Sequence, residues 1–384
     1  MSFKRASRRE VLAGLGAAGL SASRAAAAGS ESSGRIRLGV IGVGNRGREH
    51  LRTIKSGAFA CDIVGICDVV PDHARKAIEL EIGKPDIYTN YQDLLAVDGL
   101  DAVLVATPNF LHKEMVVAAL GRGLDVLCEK PMALNVAECD EMIRAWRSTD
   151  RVFMVGLQNR WHPCHVKIRD LIREGAIGEV RHLAATEFRR DWKQIAAGSS
   201  SVSHLNWRYF ESLSGGALLE KHCHDFDLFQ HWLGASPERV CGFGGTGFYP
   251  GRETLDHASL AIEYGGGCTV SLDFNIGSRY GKGFHESMMV GTKGQLQFRR
   301  KGDSIRITTW EPERREETIQ VGFDARESGH NGTMELLEEF FDALQKRRLP
   351  STHALVGRQS VKLAQAAQAA VRGRRVVELA ELGA

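Results

Sequence analysis

The chain has 384 residues, 43% hydrophobic and 25% charged, with a formal net charge of +3. That composition is ordinary for a folded protein of two domains and excludes collagen-like, disordered and disulfide-scaffold classes. No apolar run reaches the roughly 18–20 residues that a membrane span needs.

The first 28 residues hold Lys4, Arg5, Arg8, Arg9 and Arg24 against the single acid Glu10, a net +4, so the remainder of the chain stands at −1. A body that close to neutral gives no support to nucleic-acid binding. The basic start is followed by a short apolar run over 11–20 and by small residues at 25–28. This order predicts an export signal over 1–28, and Arg8-Arg9 ahead of Val11-Leu12 resembles the twin-arginine type. The twin-arginine machinery is then an expected partner, the periplasm or another exported site the expected location, and a membrane anchor is not expected. A route that carries folded proteins further predicts a tightly held cofactor. The eight cysteines form no C-x-x-C pair, so a zinc ribbon or thioredoxin-like motif has no support, and most read as buried small hydrophobes.

A buried strand over 36–43 runs into Gly42-Val43-Gly44-Asn45-Arg46-Gly47, a helical pattern follows, and a second strand over 63–67 ends at Asp68. This order of strand, glycine loop, helix and acid predicts a dinucleotide site. Gly42 permits the tight turn, Gly44 the approach of a pyrophosphate, and Gly47 close helix packing. Asn45 and Arg46 open the helix whose N-terminus faces the phosphates. Asp68 suits the adenosine ribose hydroxyls and repels a 2′-phosphate. NAD is therefore favoured, with NADP open if Arg46 or Arg75 offsets the charge.

Strands over 102–106, 125–128 and 152–155 alternate with helical patterns over 111–120 and 137–147, which predicts a doubly wound parallel sheet. Thr107, Pro108, Asn109, His112, Glu129 and Lys130 stand at or just beyond strand carboxyl ends, where such sheets bind ligands. They are candidate cofactor contacts. Ala106-Thr107-Pro108-Asn109-Phe110-Leu111-His112 and Cys128-Glu129-Lys130-Pro131, taken with the glycine loop, resemble the Gfo/Idh/MocA oxidoreductases. The resemblance covers nearly all of the chain after residue 28. It implies an N-terminal Rossmann domain (35–155), a C-terminal α+β domain with a large open sheet (156–328) and terminal helices packing back on the first domain (329–384). Homo-oligomers through that open sheet are frequent in the family.

In the second half, β-patterned segments at 180–188, 257–264, 268–275 and 295–300 predict a mainly antiparallel sheet. Helical spacing places Glu220, His224 and Asp227 on one face, at i, i+4 and i+7. The resemblance implies an acid-x-x-x-His catalytic pair acting with the lysine of Glu-Lys-Pro, which assigns Glu220, His224 and Lys130. The family more often has Asp where this chain has Glu220. Oxidising a sugar hydroxyl requires loss of a proton from oxygen and of hydride from carbon. A neutral His224 can take the proton, Glu220 can orient it, and Lys130 can polarise the reacting oxygen. Arg160, Trp207, Arg208, Tyr209 and Asp227 are candidate substrate contacts. A metal site is a competing reading of Glu220, His222, His224, Asp225, Asp227 and His231, although no established zinc spacing occurs; no metal is assigned.

The function expected is a carbohydrate oxidoreductase whose retained cofactor is restored within each cycle. Two routes do this: ping-pong transfer, in which one sugar is oxidised and a second carbonyl compound is reduced, or transient oxidation with elimination or hydrolysis and re-reduction, as in NAD-dependent glycoside hydrolases. A non-catalytic sugar-binding protein is a further alternative.

Overall fold

The computed structural model describes residues 34–57, 59–190, 207–249, 251–278, 283–322 and 332–383. The export-signal reading at 1–28 lies outside the described residues, as does residue 331, where the helical pattern over 331–346 begins.

Six strands form the first sheet: β1 (Ile36–Ile41), β2 (Cys61–Cys67), β3 (Asp86–Tyr88), β4 (Ala102–Val105), β5 (Asp125–Glu129) and β6 (Phe153–Gly156). Their order is β3-β2-β1-β4-β5-β6 and every pairing is parallel. All residues of β4, β5 and β6 are buried, because helices cover both faces of such a sheet. The strand order reverses between β1 and β4, and that switch point opens a crevice at the carboxyl ends of the strands.

The second sheet has nine strands: β7 (Val180–Phe188), β8 (Pro237–Gly245), β9 (His257–Tyr264), β10 (Cys268–Asn275), β11 (Glu286–Gly291), β12 (Gly294–Arg299), β13 (Ser304–Thr309), β14 (Arg315–Gln320) and β15 (Val377–Glu378). It is ordered β14-β13-β12-β11-β7-β10-β9-β8-β15. Only β7 with β10 is a parallel pair. In β9 and β10 burial alternates residue by residue, as expected where one face packs on helices and the other does not.

Two terminal helices join the layers. Thr333–Lys346 places Leu336, Leu337, Phe340, Phe341 and Leu344 in one buried cluster with Leu38, Val40 and Leu51 of the first domain. Ala354–Gly373 packs on β8, on the helix Cys223–Leu233 and on the helix Val136–Arg147. Thr352 pins the edge of the first sheet, giving its hydroxyl to Val155 O at 2.8 Å and accepting Val155 N–H at 2.8 Å. All eight cysteines are free thiols, seven buried and Cys241 partly so.

Candidate active site

The glycine loop leaves β1 with Gly42 at φ 86°, a left-handed conformation that suits glycine. A Cβ on Gly47 would lie 2.0 Å from Gly42 O, so any side chain at this position of the helix Asn45–Ser56 is excluded by the glycine turn. The first turn of this helix carries no acid, which leaves its N–H groups and dipole available to an anion. Asp68 follows β2 and is fixed by backbone donors, Val43 N–H on Oδ2 and Val70 N–H on Oδ1, both at 2.9 Å. A glycine cradle, a helix N-terminus and a held carboxylate fit an NAD-type dinucleotide.

Arg46 is turned away from that carboxylate. Its Nε donates to Glu129 Oε1 at 2.6 Å, and its guanidinium also meets Glu49 at 2.7 Å and Thr333 Oγ1 at 3.1 Å. His50 Nε2 reaches the same Glu129 oxygen at 2.7 Å. Burial favours the neutral acid, but Arg46 and His50 outweigh it and hold the Glu129 carboxyl well below the usual range. Arg75 is spent on Asp72 and Glu79 of its own helix. Neither arginine therefore offsets Asp68 in the way the sequence left open.

His112 Nδ1 lies 2.8 Å from Pro131 O and its Nε2 3.0 Å from Thr107 O, so this buried ring ties the Thr-Pro-Asn segment to the Glu-Lys-Pro segment. Asn109 donates to Ser214 O at 2.8 Å and ties the first domain to the second. Thr107 packs at the glycine turn, where its Cγ2 would be 2.9 Å from a Cβ on Gly42. Pro108 opens the short turn Asn109–Leu111.

Lys130 Nζ donates to the Glu220 carbonyl at 2.7 Å and lies 3.9 Å from the Glu220 carboxylate. Arg208 Nε donates to that carboxylate at 3.0 Å. Burial pushes the Glu220 carboxyl up, but Lys130 and Arg208 dominate and hold it down to about 2. His224 is buried and its Nδ1 has no hydrogen-bond partner among the described residues. Burial, then the charge of Lys130, drives its pKa well below the ordinary value, so the ring is neutral at pH 7. A neutral imidazole beside an ammonium suits proton abstraction from a hydroxyl.

The expected single helical face is not what forms. The segment breaks into Ala217–Glu220 and Cys223–Leu233, with Lys221 and His222 between. Glu220 thereby faces Arg208 and Lys130. Asp227 lies on the second helix and is paired with Arg160 by two bonds, at 2.8 and 2.6 Å. Arg160 and Asp227, both candidate substrate contacts, thus neutralise one another. Trp207 is buried under the Arg208 guanidinium, 3.9 Å above its ring, and Arg252 lies over Tyr209 at 5.1 Å.

The residues of the metal reading are likewise not gathered at one point. His222 and Asp225 are instead joined by Glu187, with ligand atoms within 4.8 Å of one another. Arg300 meets Glu187 at 2.7 Å and Asp225 at 3.2 Å, and Lys221 meets Glu187 at 3.2 Å. Protein cations supply the counter-charge there. The sequence reading missed Glu187, Lys221, Arg300 and His50. One signal existed: Leu183, Ala185 and Glu187 share the buried face of β7, and an acid in an inward register needs partners.

A parallel sheet with its glycine cradle, and a helix of the second domain that brings a neutral histidine near Lys130, define a two-domain dinucleotide-dependent oxidoreductase. Comparisons with known proteins agree. A model described as "Oxidoreductase family, NAD-binding Rossmann fold" matches residues 36–157, and one for the GFO/IDH/MocA C-terminal domain matches 165–297. An uncharacterized oxidoreductase of Streptococcus pneumoniae is 33% identical over 68% of this chain and 68% of its own. The 2,7-anhydro-N-acetylneuraminate hydratase of Escherichia coli is 32% identical over 68% and 67%, respectively. The myo-inositol 2-dehydrogenase of Thermotoga maritima is 26% identical over 90% and 99%. Levoglucosan dehydrogenase in complex with NADH shares the fold, with a TM-score of 0.79 at 20% identity over 90% of this chain and 99% of that one. The chain belongs to the GFO/IDH/MocA oxidoreductase family.

Proposed function

We propose that this protein oxidises a CH–OH group of a sugar, polyol or sugar derivative, with Lys130, His224 and Glu220 as the working side chains. The observation that carries the reading is the arrangement of Lys130 on Glu220 O beside a buried, neutral His224. Bound NAD supplies the hydride acceptor. Lys130 polarises the reacting hydroxyl, His224 accepts its proton, and Glu220 with Arg208 holds the lysine in place. The names of the relatives support the substrate class, myo-inositol 2-dehydrogenase above all. NAD is preferred to NADP because Asp68 stands at the ribose position while Arg46 and Arg75 are engaged elsewhere. The residues at 1–28 support export by the twin-arginine route with the cofactor held tightly and its redox state restored in each cycle. Exposed Phe243 and Met288 on the second sheet support a homo-oligomer through that face.

A second reading is a transient-oxidation hydratase or lyase, favoured by the identity to 2,7-anhydro-N-acetylneuraminate hydratases. It uses the same groups and ends without net NADH.

The test is protein purified from the periplasmic fraction and dialysed. Expected are bound NAD(H), turnover with a carbohydrate, and loss of turnover in Lys130→Ala and His224→Ala with cofactor still bound. Near-normal activity in either variant refutes that residue's role. Cofactor-free protein that turns over only with added NAD refutes retention.

A further inference from the structure

The hairpin of β12 and β13 turns at residues 300–303, and its tip is pressed against the helix that carries His224. Phe298 meets Trp232 edge-on with ring centroids 5.6 Å apart. Gly302 N–H closes the turn on Arg299 O at 2.9 Å. Arg300 reaches across to Glu187 and to Asp225, the neighbour of His224. Its Nε is nevertheless buried without a hydrogen-bond partner among the described residues.

The next residue is Lys301, which adopts φ 57°. This is left-handed backbone that glycine takes without strain and a long side chain does not. A lysine held in that conformation points to use of its ammonium. Lys301 makes no ion pair or side-chain hydrogen bond among the described residues, yet it lies within electrostatic reach of Arg300, Lys221, Arg46 and Glu49. His224 feels its charge too. The charge of Lys301 thus acts on both the glycine-loop helix and His224.

The local carboxylates are already shared. Glu187 serves Lys221 and Arg300, Glu220 serves Arg208 and Lys130, and Asp227 serves Arg160. Asp225 serves Arg300 and Glu49 serves Arg46, so among the described residues the cleft keeps a positive surplus. A neutral polyol needs donors and acceptors but no net charge, whereas a sugar acid would complete the site.

We propose that the substrate is an anionic sugar bearing a carboxylate, and that Lys301, backed by Arg300, receives that carboxylate while Lys130 and His224 address a hydroxyl. This rests on the oxidoreductase reading above. The diphosphate of the dinucleotide is the other anion of the cleft, and the test separates the two.

NADH-loaded protein is titrated calorimetrically with D-glucuronate against D-glucose, D-galacturonate against D-galactose, and N-acetylneuraminate against N-acetylmannosamine. At least one acid is expected to bind roughly tenfold more tightly than its neutral counterpart, with the gap narrowing as salt rises. Lys301→Gly relieves the backbone and is expected to abolish the gap while leaving NADH affinity within about twofold. Lys301→Arg keeps the charge and is expected to keep the gap. The proposal is overturned if no acid outbinds its neutral partner, or if the gap survives in Lys301→Gly. It is also overturned if Lys301→Gly loses NADH affinity with the gap intact, which assigns the lysine to the diphosphate. Absorbance at the NADH band is followed with each sugar in NAD-loaded protein. Acid preference without any hydride transfer would sink the oxidoreductase reading and leave the anion site standing.

Discussion

Replacing Glu129 by glutamine removes one negative charge from the junction of the glycine-loop helix, the Glu-Lys-Pro segment and the helix Thr333–Lys346. Oε1 of Glu129 meets Arg46 Nε at 2.6 Å and His50 Nε2 at 2.7 Å, and bonds to a charged group are each worth about 1.5–3 kcal/mol. Glutamine keeps both at neutral strength, about half of that, so the pair loses about 2 kcal/mol. Its NH₂ then faces Lys130 N–H, which Oε2 now accepts at 3.1 Å, and the orphaned donor costs about 1–2 kcal/mol more. Arg46 keeps Glu49 at 2.7 Å and is not stranded. The loss of about 3–4 kcal/mol corresponds to a fall in Tm of about 5 °C for a chain of this size, read by circular dichroism on the cofactor-free protein. The pH dependence supplies a second measurement. The folded carboxyl sits well below its unfolded value, so its contribution is complete above about pH 4.3 and is lost as pH falls toward the folded pKa. The gap between parent and Glu129→Gln must therefore narrow on acidification. A Tm within about 2 °C of the parent at pH 7, or a gap that does not change with pH, would falsify this account of the junction.

Two further outcomes are expected. Burial and neighbouring cations depress the His224 pKa, so kcat/KM should hold steady from pH 8 downward and fall only below about pH 6.5, where an ordinary histidine would already be half protonated. An acid limb at or above that value in the pH–rate profile removes His224 as the base. Arg160→Met leaves Asp227 buried at 2% exposure without its partner and should cost about 3–5 kcal/mol in urea unfolding. Arg160→Met with Asp227→Leu should regain most of that loss, and a raised KM with unchanged stability in the single variant would restore Arg160 to the substrate.

Local signals made the first domain legible. Gly42, Gly44, Gly47 and Asp68 act over one βαβ unit, and the clash that a Cβ on Gly47 would make with Gly42 O depends on nearby residues alone. The strands β9 and β10 read cleanly because one face is buried and the other is not. β8 was missed because Pro237, Gly242, Gly244 and Gly245 read as loop. β14 was missed because it is a polar edge strand with no buried residue to alternate.

Chemistry that lives on a loop or within one helical repeat was therefore written in the order of residues: the dinucleotide cradle, Lys130 after β5, and His224 in its acid-rich segment. Partnerships across the fold were not. Glu187 meets Arg300 across 113 positions, and Arg46 meets Thr333 across 287. No periodicity encodes such pairs, because a charge chooses its partner only after packing has removed water from both. That selection turned Arg46 toward Glu129 and Glu49, joined Asp227 to Arg160, and left Lys301 without an ion pair among the described residues.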